Sequence, residues 1–525
     1  MCGFVFVEDK TVKKEKIEKG LAKIYHRGPD DVQLHESQKA WLGFSRFAIM
    51  DLTHAGDQPF CYQNKYYMCN GEIYNYRELE KEYQFKYSSG SDCEVLIPMF
   101  EQLGLPEMLN KLDGEFAFVI YDEETEEIYA ARDPIGIRPL FYGKTKSGKY
   151  AFASEVKSLQ EFCVDIKAFP PGAYLKEGKI QSYIDISHVE KYHDHDIDEV
   201  CGNINKLLTK GVVKRLNSDA PIGFLLSGGL DSSLVCSIAQ KHSEGPIQTF
   251  AIGMSEDAID LKYAKEVADY IGSNHTEVII TKQDVLQCLG DVVKHLESYD
   301  ITTIRASVGM YLVCKYIQEK TDIKVLLTGE VSDEIFGYKY TDFAPTPEEF
   351  QAEAAKRVRE LYMYDVLRAD RCIAAHSLEA RVPFSDTEFV QYVMSVDPKL
   401  KMNSYGHGKY LLRKAFEGGD YLPESILYRE KAAFSDAVGH SLVDYIKAYA
   451  AQLYTDRDVE NAVTKYKHSA PFTKESLLFR DIFEGLYPGK SYLVVDFWMP
   501  NRTWKNCDVK DPSARVLPNY GASGA

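Results

Sequence analysis

The spacing of apolar residues changes near residue 187, and this change restricts the fold more than any other feature of the chain. From Met1 to about Tyr183, short stretches of alternating apolar and polar residues are separated by Gly, Pro and Asp, as at 40–48 and 116–121. Alternation with a period of two places every second side chain on one face of a strand, and the separators are turn residues. The first part of the chain therefore predicts antiparallel sheet with a few covering helices.

Beyond residue 200 the apolar residues form continuous runs that alternate with helical stretches. The runs are at 222–226, 247–252, 277–280 and 324–327. Apolar strands joined by helices are typical of a parallel sheet covered on both faces. We therefore expect an α/β doubly wound second domain, with added helices from about residue 347 to 467. The last residues, 506–525, are rich in turn residues and predict a loose tail.

Residues 188–199 are almost all polar and show no periodicity, which predicts a linker. The linker separates a first domain at 1–187 from a second domain at 200–505. His193 and His195 lie in the linker and could suggest a metal site, but imidazoles beside carboxylates are common on solvated surfaces. We interpret both histidines as parts of a solvated linker.

The composition favours a globular protein of the cytoplasm. Acidic residues outnumber basic ones, 79 to 62, so the formal net charge is −17. Such a surface repels phosphate backbones at long range, and we expect no nucleic-acid partner. The eleven cysteines form no CxxC pair and no cluster at zinc-ligand spacing. We also expect no membrane partner, because no stretch approaches the ~20 apolar residues of a span and the N-terminus is unlike a signal peptide.

Cys2 is a candidate nucleophile. It follows the initiator methionine, and cysteine is small enough for that methionine to be removed. Removal would leave a thiol and an α-amino group on one residue. The amine, with an ordinary pKa of about 8, can accept the proton of a thiol whose pKa is about 8.5, so no histidine is needed.

The segments that accompany Cys2 resemble the class II glutamine amidotransferases, which are N-terminal-nucleophile hydrolases, over the whole first domain. They read HRGPD from His26, NGEIYN from Asn70 and GSD from Gly90, together with Arg46. The resemblance implies an α+β fold of αββα layered antiparallel sheets. It also implies that L-glutamine is a substrate and that Cys2 attacks its side-chain amide.

Chemistry supports the roles that the resemblance assigns in this first site. The Asn70 side chain and the Gly71 N–H are the expected donors to the tetrahedral oxyanion. Free glutamine is a zwitterion, and Arg46 for its carboxylate with Asp92 for its ammonium would satisfy both charges. The family's Arg-Leu-Ser-Ile reads Arg-Phe-Ala-Ile here, so a hydroxyl is lost at Ala48. The implied glutamine-binding residues are Arg46, Phe47, Ala48, Ile49, Met50, Asn70, Gly71, Glu72 and Asp92.

The string SGGLDSS at 227–233 lies between a predicted buried strand and a predicted helix, where backbone N–H groups and the helix dipole bind anions. It lacks the lysine of a Walker A loop, and Asp231 would repel phosphate unless a cation lay between them, which implies Mg²⁺. The string resembles the signature of ATP pyrophosphatases, which cleave ATP between the α and β phosphates. The implied ATP-binding residues are Leu226, Ser227, Gly228, Gly229, Asp231, Ser232, Ile252, Thr328 and Gly329.

A second acidic loop, TGEVSDE at 328–334, ends another predicted central strand and should lie at the same edge of the sheet. Asp333 is the candidate second Mg²⁺ ligand beside Asp231, and Glu330 is the candidate acid/base group. The family has glycine in place of Val331. Because a β-branched residue adopts positive φ only at a cost, either the loop needs no positive φ there or its geometry has shifted.

Two further segments, YDITTIRAS at 299–307 and EARVPF at 379–384, resemble the asparagine synthetase B family, and the similarity continues nearly to the end of the chain. The resemblance implies that L-aspartate and ATP form β-aspartyl-AMP, and that ammonia is channelled from Cys2 to this intermediate. It is also compatible with a homodimer. The matched residues are Thr302, Thr303 and Arg305 near the aspartate and the intermediate, and Lys431 near the pyrophosphate.

Two other functions stay open at this point. One is a related ligase that acts on another carboxylate, as β-lactam synthetases do, and the other is a catalytically silent storage or binding paralogue. Cys2 argues against the first, because the N-terminal half of β-lactam synthetases commonly lacks the nucleophile. The joint presence of Cys2, Asn70, Asp231, Glu330 and Asp333 argues against the second.

Overall fold

The protein forms two compact units. The structure, a computed structural model, describes residues 1–84, 86–255, 258–429 and 438–520. The first unit comprises Met1–Ile186 together with Asn217–Pro221 and Ala374–Ala380, and the second unit contains the remaining described residues. The two short segments join the first unit although they lie far along the sequence, which the spacing of apolar residues did not indicate.

The strands of the first unit follow the alternating stretches of its sequence. Among the described residues they are β1 Gly3–Val7, β2 Asp31–Glu36, β3 Trp41–Arg46, β4 Phe60–Tyr62, β5 Lys65–Ile73, β6 Gly114–Asp122, β7 Glu127–Arg132, β8 Phe141–Thr145, β9 Tyr150–Ala153, β10 Cys163–Ala168, β11 Ala173–Lys176 and β12 Lys179–Ser182. The helices are α1 Lys14–Ala22, α2 Tyr76–Tyr83, α3 Leu96–Leu103, α4 Leu105–Lys111 and α5 Val156–Leu159.

These strands build two six-stranded antiparallel sheets, in the orders β10-β8-β9-β1-β3-β2 and β12-β11-β7-β6-β5-β4. The sheets pack face to face, because Phe4 and Phe6 of β1 share a buried core with Met68 of β5 and Val119 of β6. Helix α1 packs on the first sheet, and Phe100 of α3 contacts a ring of β5 in the second. The predicted αββα layering is therefore confirmed.

The second unit alternates strands and helices at first and then becomes mainly helical. Its described strands are β13 Ile222–Leu225, β14 Gln248–Met254, β15 Asn274–Ile280 and β16 Val325–Leu327, and of β17 Glu379–Arg381 only Arg381 belongs to this unit. The helices are α6 Ile197–Lys214, α7 Leu230–Lys241, α8 Ile259–Ile271, α9 Lys282–Leu296, α10 Ile301–Lys320, α11 Ser332–Phe336, α12 Pro347–Glu360, α13 Asp365–Ala374, α14 Thr387–Met394, α15 Pro398–Lys401, α16 Tyr410–Ala415, α17 Glu424–Leu427, α18 His440–Leu453, α19 Asp456–Lys465 and α20 Lys474–Leu486.

The strands of this unit lie in the order β15-β14-β13-β16, and this order determines where the loops after the strands meet. The chain proceeds from β13 outward through β14 to β15, and then returns to β16 on the other side of β13. Both β14 and β16 pair with β13 in parallel. The order therefore reverses between β13 and β16, and in open α/β sheets ligands bind outside the carboxyl ends of strands at such a switch point. The predicted parallel sheet is confirmed.

Two parts of the predicted organisation are corrected. The predicted linker overlaps α6, which begins at Ile197, and His193 stacks on Tyr392 with ring centroids 4.9 Å apart. The predicted loose tail is packed over 506–520, since Cys507 and Leu517 are buried in a cluster of apolar side chains. Short turn-rich segments can pack when they carry a few large apolar residues, and composition alone does not reveal this.

No helix among the described residues combines the length and the apolar character that crossing a membrane requires.

Candidate active sites

Cys2 immediately precedes β1 and is held from two sides. Its sulphur accepts a hydrogen bond from the Phe47 N–H at 3.4 Å and lies 3.7 Å from the Phe47 carbonyl oxygen. Its own carbonyl accepts from Arg27 Nε at 2.9 Å. Arg27 is fully buried, and its Nη1 donates to Glu155 at 2.8 Å. The backbone of Cys2 is thereby fixed by a guanidinium that a buried carboxylate neutralises.

Met1, which precedes the thiol in the described chain, is fully buried. Burial is the main cause that raises the pKa of the Cys2 thiol to about 11, and burial likewise lowers the pKa of the Met1 amino group to about 5. With Met1 attached, the thiol is therefore protonated near neutral pH, and the nitrogen of Cys2 is a peptide amide that cannot accept its proton. Nucleophilic use of Cys2 requires loss of Met1.

Asn70 and Gly71 lie side by side in β5. The Asn70 side chain is 1% exposed, yet neither its amide nitrogen nor its oxygen has a hydrogen-bond partner among the described residues. A buried amide without partners costs free energy unless a ligand satisfies it. At Gly71 a Cβ atom would lie 2.4 Å from the Glu115 carbonyl oxygen, so the packing of β5 against β6 excludes any side chain.

The two residues predicted to bind the charges of glutamine are both buried, and both already have partners. Arg46 Nη1 lies 2.6 Å from Asp57 Oδ1 and 2.5 Å from the Thr53 carbonyl oxygen. Asp92 accepts a hydrogen bond from the Ile73 N–H at 2.6 Å, which ties its carboxylate to the strand that carries Asn70. The segment after Arg46 is buried as well, from Phe47 to Met50.

In the second unit, the loop at 226–229 joins β13 to the N-terminus of α7. Gly228 has φ 70°, and a Cβ atom there would lie 2.5 Å from the Ala264 nitrogen, so only glycine fits. Ser227 and Ser232 share a hydrogen bond of 2.9 Å between their hydroxyls, which closes the loop over the helix. The first N–H groups of α7 have no partner within the helix, and a helix end of this kind is suited to bind an anion.

The second acidic loop follows β16 and packs directly against the first. A Cβ atom at Gly329 would lie 2.8 Å from the Ser232 nitrogen. Ser332 Oγ donates to Asp231 Oδ1 at 2.8 Å. Val331 adopts φ 82° and ψ −25°, and its side chain is 1% exposed. The loop therefore does need positive φ at this position, and a β-branched residue supplies it at a cost in strain.

Lys409 joins the two candidate metal ligands. Its ammonium lies 2.8 Å from both carboxylate oxygens of Asp231 and 2.6 Å from Asp333 Oδ1. It also donates to Ser332 Oγ at 2.9 Å. The two carboxylates thus surround one cation position beside the anion-binding loop. Carboxylate oxygens at such a position are the ligands that Mg²⁺ prefers, so the residues fit this metal.

A cavity of about 290 Å³ opens at the switch point, close to the lower end of the usual range for ligand sites. All predicted ATP-binding residues except Gly228 line it, as do Thr302, Thr303 and Arg305. Glu330 also lines it. Its Oε1 accepts from Arg368 at 3.4 Å, and its Oε2 is buried with no partner among the described residues. The predicted residues of this site are therefore brought together around one cavity.

Thr302, Thr303 and Arg305 lie in the first turns of α10. Asp300 caps this helix and accepts hydrogen bonds from both threonine hydroxyls, at 2.7 and 2.8 Å. Arg305 donates to Glu475 and to Asp511 Oδ1, the latter at 2.8 Å. Three of its five N–H groups are therefore used, and two are outside these hydrogen bonds.

Comparison with known proteins covers nearly the whole chain. A family model described as a glutamine amidotransferase domain matches residues 1–199, and one described as asparagine synthase matches 203–348 and 338–509. A probable glutamine-hydrolyzing asparagine synthetase of Acanthamoeba polyphaga mimivirus is 40% identical over 557 residues, which cover 99% of this chain and 100% of that protein. The glutamine-hydrolyzing asparagine synthetase of Homo sapiens is 40% identical over 563 residues, which cover 99% of each chain.

The chain belongs to the glutamine-hydrolysing asparagine synthetase family.

Among solved structures, a glutamine phosphoribosylpyrophosphate amidotransferase from B. subtilis, complexed with ADP and GMP, aligns with a TM-score of 0.33 and 15% identity. The alignment covers 54% of this asparagine synthetase family member and 91% of that chain.

Some contacts in this asparagine synthetase family member were not predicted from the sequence. Arg27 and Glu155 fix the backbone of Cys2, and Lys409 joins the acidic loops. Arg429 donates to the Gly228 carbonyl oxygen at 3.0 Å and so supports the first loop. Apart from the HRGPD segment that contains Arg27, no sequence signal marked these residues. Lys431, predicted to lie near pyrophosphate, falls outside the described residues.

Proposed function

We propose that the protein converts L-aspartate, L-glutamine, ATP and water to L-asparagine, L-glutamate, AMP and diphosphate. The observation that carries this proposal is the pair of acidic loops at the switch point, where Asp231 and Asp333 surround one cation position beside an anion-binding helix end. A site for a metal-bound polyphosphate explains why carboxylates and a phosphate loop occur together. The 40% identity, over 99% of this chain, to proteins named glutamine-hydrolyzing asparagine synthetase also supports this proposal.

In the first unit, the Cys2 thiolate attacks the side-chain carbonyl carbon of glutamine after Met1 has been removed. The Asn70 amide and the Gly71 N–H stabilise the oxyanion, and the unsatisfied Asn70 side chain supports this role. Arg46 and Asp92 bind the carboxylate and the ammonium of free glutamine. The α-amine of Cys2, which takes the thiol proton, passes it to the leaving nitrogen, so ammonia leaves as a thioester forms on Cys2. Water then hydrolyses the thioester to glutamate and restores the thiol.

In the second unit, the β-carboxylate of aspartate attacks the α-phosphorus of ATP, which forms β-aspartyl-AMP and releases diphosphate. Thr302, Thr303 and Arg305 orient the aspartate and the intermediate. Asp231 and Asp333 would hold Mg²⁺, which neutralises phosphate charge when it is bound. Ammonia then attacks the acyl carbon, AMP leaves, and the unpartnered Oε2 of Glu330 accepts the proton. We propose that Lys431 lies beside the diphosphate.

We also propose a cytoplasmic location, because no disulfide joins the cysteines of the described residues, as in a reducing compartment. A homodimer and the absence of nucleic-acid and membrane partners stay predictions.

The test uses purified protein with aspartate, ATP and Mg²⁺, and with either glutamine or ammonium as the nitrogen source. We expect AMP, diphosphate and asparagine in equal amounts, whereas release of ADP in place of AMP would refute the adenylation step. Cys2→Ala should abolish use of glutamine and keep use of ammonium. Cys61→Ala, which changes an exposed cysteine of the same unit, is the control and should keep both.

A further inference from the structure

The C-terminal segment, defined as residues 506–520, packs against the chain that follows the second acidic loop. Cys507, Ala514 and Leu517 are 0%, 5% and 4% exposed. They share an apolar cluster with Tyr340 and Phe350, which come shortly after α11. The Cys507 thiol also lies 3.7 Å from the Tyr340 carbonyl oxygen. The segment is therefore built into the second unit and is not a free tail.

Asp511 of this segment is fixed by three donors. Its Oδ1 accepts from Arg305 Nη1 at 2.8 Å and from the Ser513 N–H at 3.0 Å. Its Oδ2 accepts from Lys447 at 2.5 Å. Burial raises the pKa of the Asp511 carboxyl, but these contacts lower it by more, so it lies well below its usual range. The hydrogen bond from Arg305 lowers it most. Asp511 is therefore ionised, and it stays on one edge of the Arg305 guanidinium.

Glu475, in the first turn of α20, holds the other edge of the same guanidinium. Its Oε1 accepts from Arg305 Nε at 2.9 Å, and its Oε2 lies 2.5 Å from Nη2. Two carboxylates on two edges determine both the position and the plane of the guanidinium, because hydrogen bonds to a planar fork are directional. Arg305 itself is 3% exposed, so water contributes little to its solvation.

The segment also forms part of the wall of the site cavity. Pro512, Ser513 and Ala514 line the cavity of about 290 Å³ that contains Arg305 and Glu330. A second cavity of about 400 Å³ is lined by Arg305, Asp511 and Pro512 among others. Arg305 and Pro512 line both cavities, so the C-terminal segment contributes to the walls of both at the position of Arg305.

We propose that the C-terminal segment is a positioning element of the synthetase site, in which Asp511 and Glu475 hold Arg305 so that its two remaining N–H groups bind a carboxylate of the amino-acid substrate. This inference rests on the proposed function, since it assigns the substrate of that site. Asp511 acts through Arg305 and does not touch the substrate.

The charge balance gives the test a definite sign. Arg305 and Lys447 carry two positive charges, and Glu475 and Asp511 carry two negative ones. Asp511→Asn leaves this group with an excess positive charge, and Coulomb attraction alone would then strengthen binding of a carboxylate. If the contact positions Arg305, the same change instead weakens binding, because a charge-assisted hydrogen bond to Nη1 is lost and the guanidinium can rotate.

The experiment measures asparagine synthesis from ammonium in the full-length protein, with aspartate and ATP varied separately. For Asp511→Asn we expect the KM for aspartate to rise at least tenfold, with the KM for ATP and kcat each changed less than threefold. Asp511→Glu, which keeps the charge, should recover most of the affinity. Asp508→Asn, an exposed carboxylate in the same segment, is the control and should match the unchanged protein.

If Asp511→Asn does not fold, Lys447→Gln is the second variant. It removes the hydrogen bond from Lys447 to Asp511 Oδ2 and should raise the KM for aspartate two- to fivefold.

An unchanged or lowered KM for aspartate would overturn the inference. A lower kcat together with a raised KM for both substrates and a lower Tm would also overturn it, because that pattern indicates only a structural role. Failure of the proposed function is distinguishable, since in that case the unchanged protein itself makes no asparagine from ammonium.

Discussion

At the scale of one residue, the buried Lys409 ammonium compensates the two carboxylates that are predicted to bind a metal. Two carboxylates that lie close together repel each other unless a cation compensates them, and here the cation is the Lys409 ammonium. Asp231 is 7% exposed, so water cannot replace that cation. A divalent metal bound at this position would have to compete with Lys409 for the same oxygens.

Lys409→Met should therefore lower stability without metal and increase the response to metal. Removing one partner of a buried ion pair costs about 3–5 kcal/mol, and less here because the Asp333 side chain is 29% exposed. We expect a lower Tm in EDTA, and a larger rise of Tm with Mg²⁺ than in the unchanged protein. Thermal unfolding in both buffers measures this effect, with Lys399→Met, at an exposed lysine, as the control. An equal rise of Tm with Mg²⁺ in Lys409→Met and in the unchanged protein would show that Lys409 does not occupy the metal position.

Cys2 gives a second prediction at this scale, which concerns processing of the N-terminus. An uncleaved N-terminal extension keeps a peptide amide on Cys2. The thiol then retains the pKa of about 11 that burial mainly produces, so it stays protonated near neutral pH. We expect no glutaminase activity and no alkylation of Cys2 by iodoacetamide, while synthesis from ammonium continues. Mass spectrometry of the labelled peptides measures this, and the exposed Cys61 reports that the reagent is active. Rapid labelling of Cys2 in the extended protein would contradict the requirement for a free α-amine.

At the scale of the element, the turn between β16 and α11 has a residue with positive φ, and that residue is a valine, which adopts positive φ only at a cost. Val331 is in the left-handed region, and it precedes a helix whose first residues contact Asp231. Strain of about 1–3 kcal/mol persists at such positions when the surroundings fix the backbone. Here the surroundings are the packing of Gly329 on Ser232 and the burial of the valine side chain.

Val331→Gly should for this reason be nearly neutral for stability. Loss of a buried valine side chain costs about 1.5–3 kcal/mol, and relief of the strain returns a similar amount. Val382→Gly is the matched control, because Val382 is also in a loop and 0% exposed but has φ −118°. We expect the control to lose about 2 kcal/mol or more and Val331→Gly to lose less than about 1. Urea unfolding measures both, and equal losses would mean that the turn stores no strain at Val331.

The elements and their ends could largely be predicted from the sequence, because strand periodicity and glycine-rich turns are local signals. The two acidic loops were predicted to meet, since strand ends in a parallel sheet share one edge. Contacts such as Arg305 with Asp511, or Lys409 with Asp231, join residues 206 and 178 positions apart and carry no local signal. The sequence does not decide whether Val331 needs positive φ, because it shows the residue and not the backbone that the neighbouring loop imposes.

At the scale of the whole molecule, the first unit is not continuous in sequence. Asn217–Pro221 and Ala374–Ala380 belong to it, and their contacts with the earlier part of the unit are polar and specific. Asp219 accepts from the Asp51 N–H at 2.8 Å, and Ser377 Oγ donates to the His26 carbonyl oxygen at 2.8 Å. Asp51 and His26 lie close in sequence to segments predicted for the glutamine site, so the two later segments support that part of the unit.

A fragment that ends at residue 187 should consequently be less stable than the same unit in the full chain. It loses the hydrogen bonds of Asp219 and Ser377, and it also loses the bond from the fully buried Arg138 to the Ala380 carbonyl oxygen at 2.8 Å. At about 1 kcal/mol for each hydrogen bond, and more for the one from the charged donor, the loss is about 3–5 kcal/mol. Trp41 is the sole tryptophan of this part of the sequence, so its fluorescence reports unfolding of the first unit when Trp498 and Trp504 are replaced by phenylalanine in the full chain. We expect a lower urea midpoint for the fragment, and an intermediate one for full-length Ser377→Ala. Equal midpoints for the fragment and the full chain would mean that the later segments add nothing to the stability of the first unit.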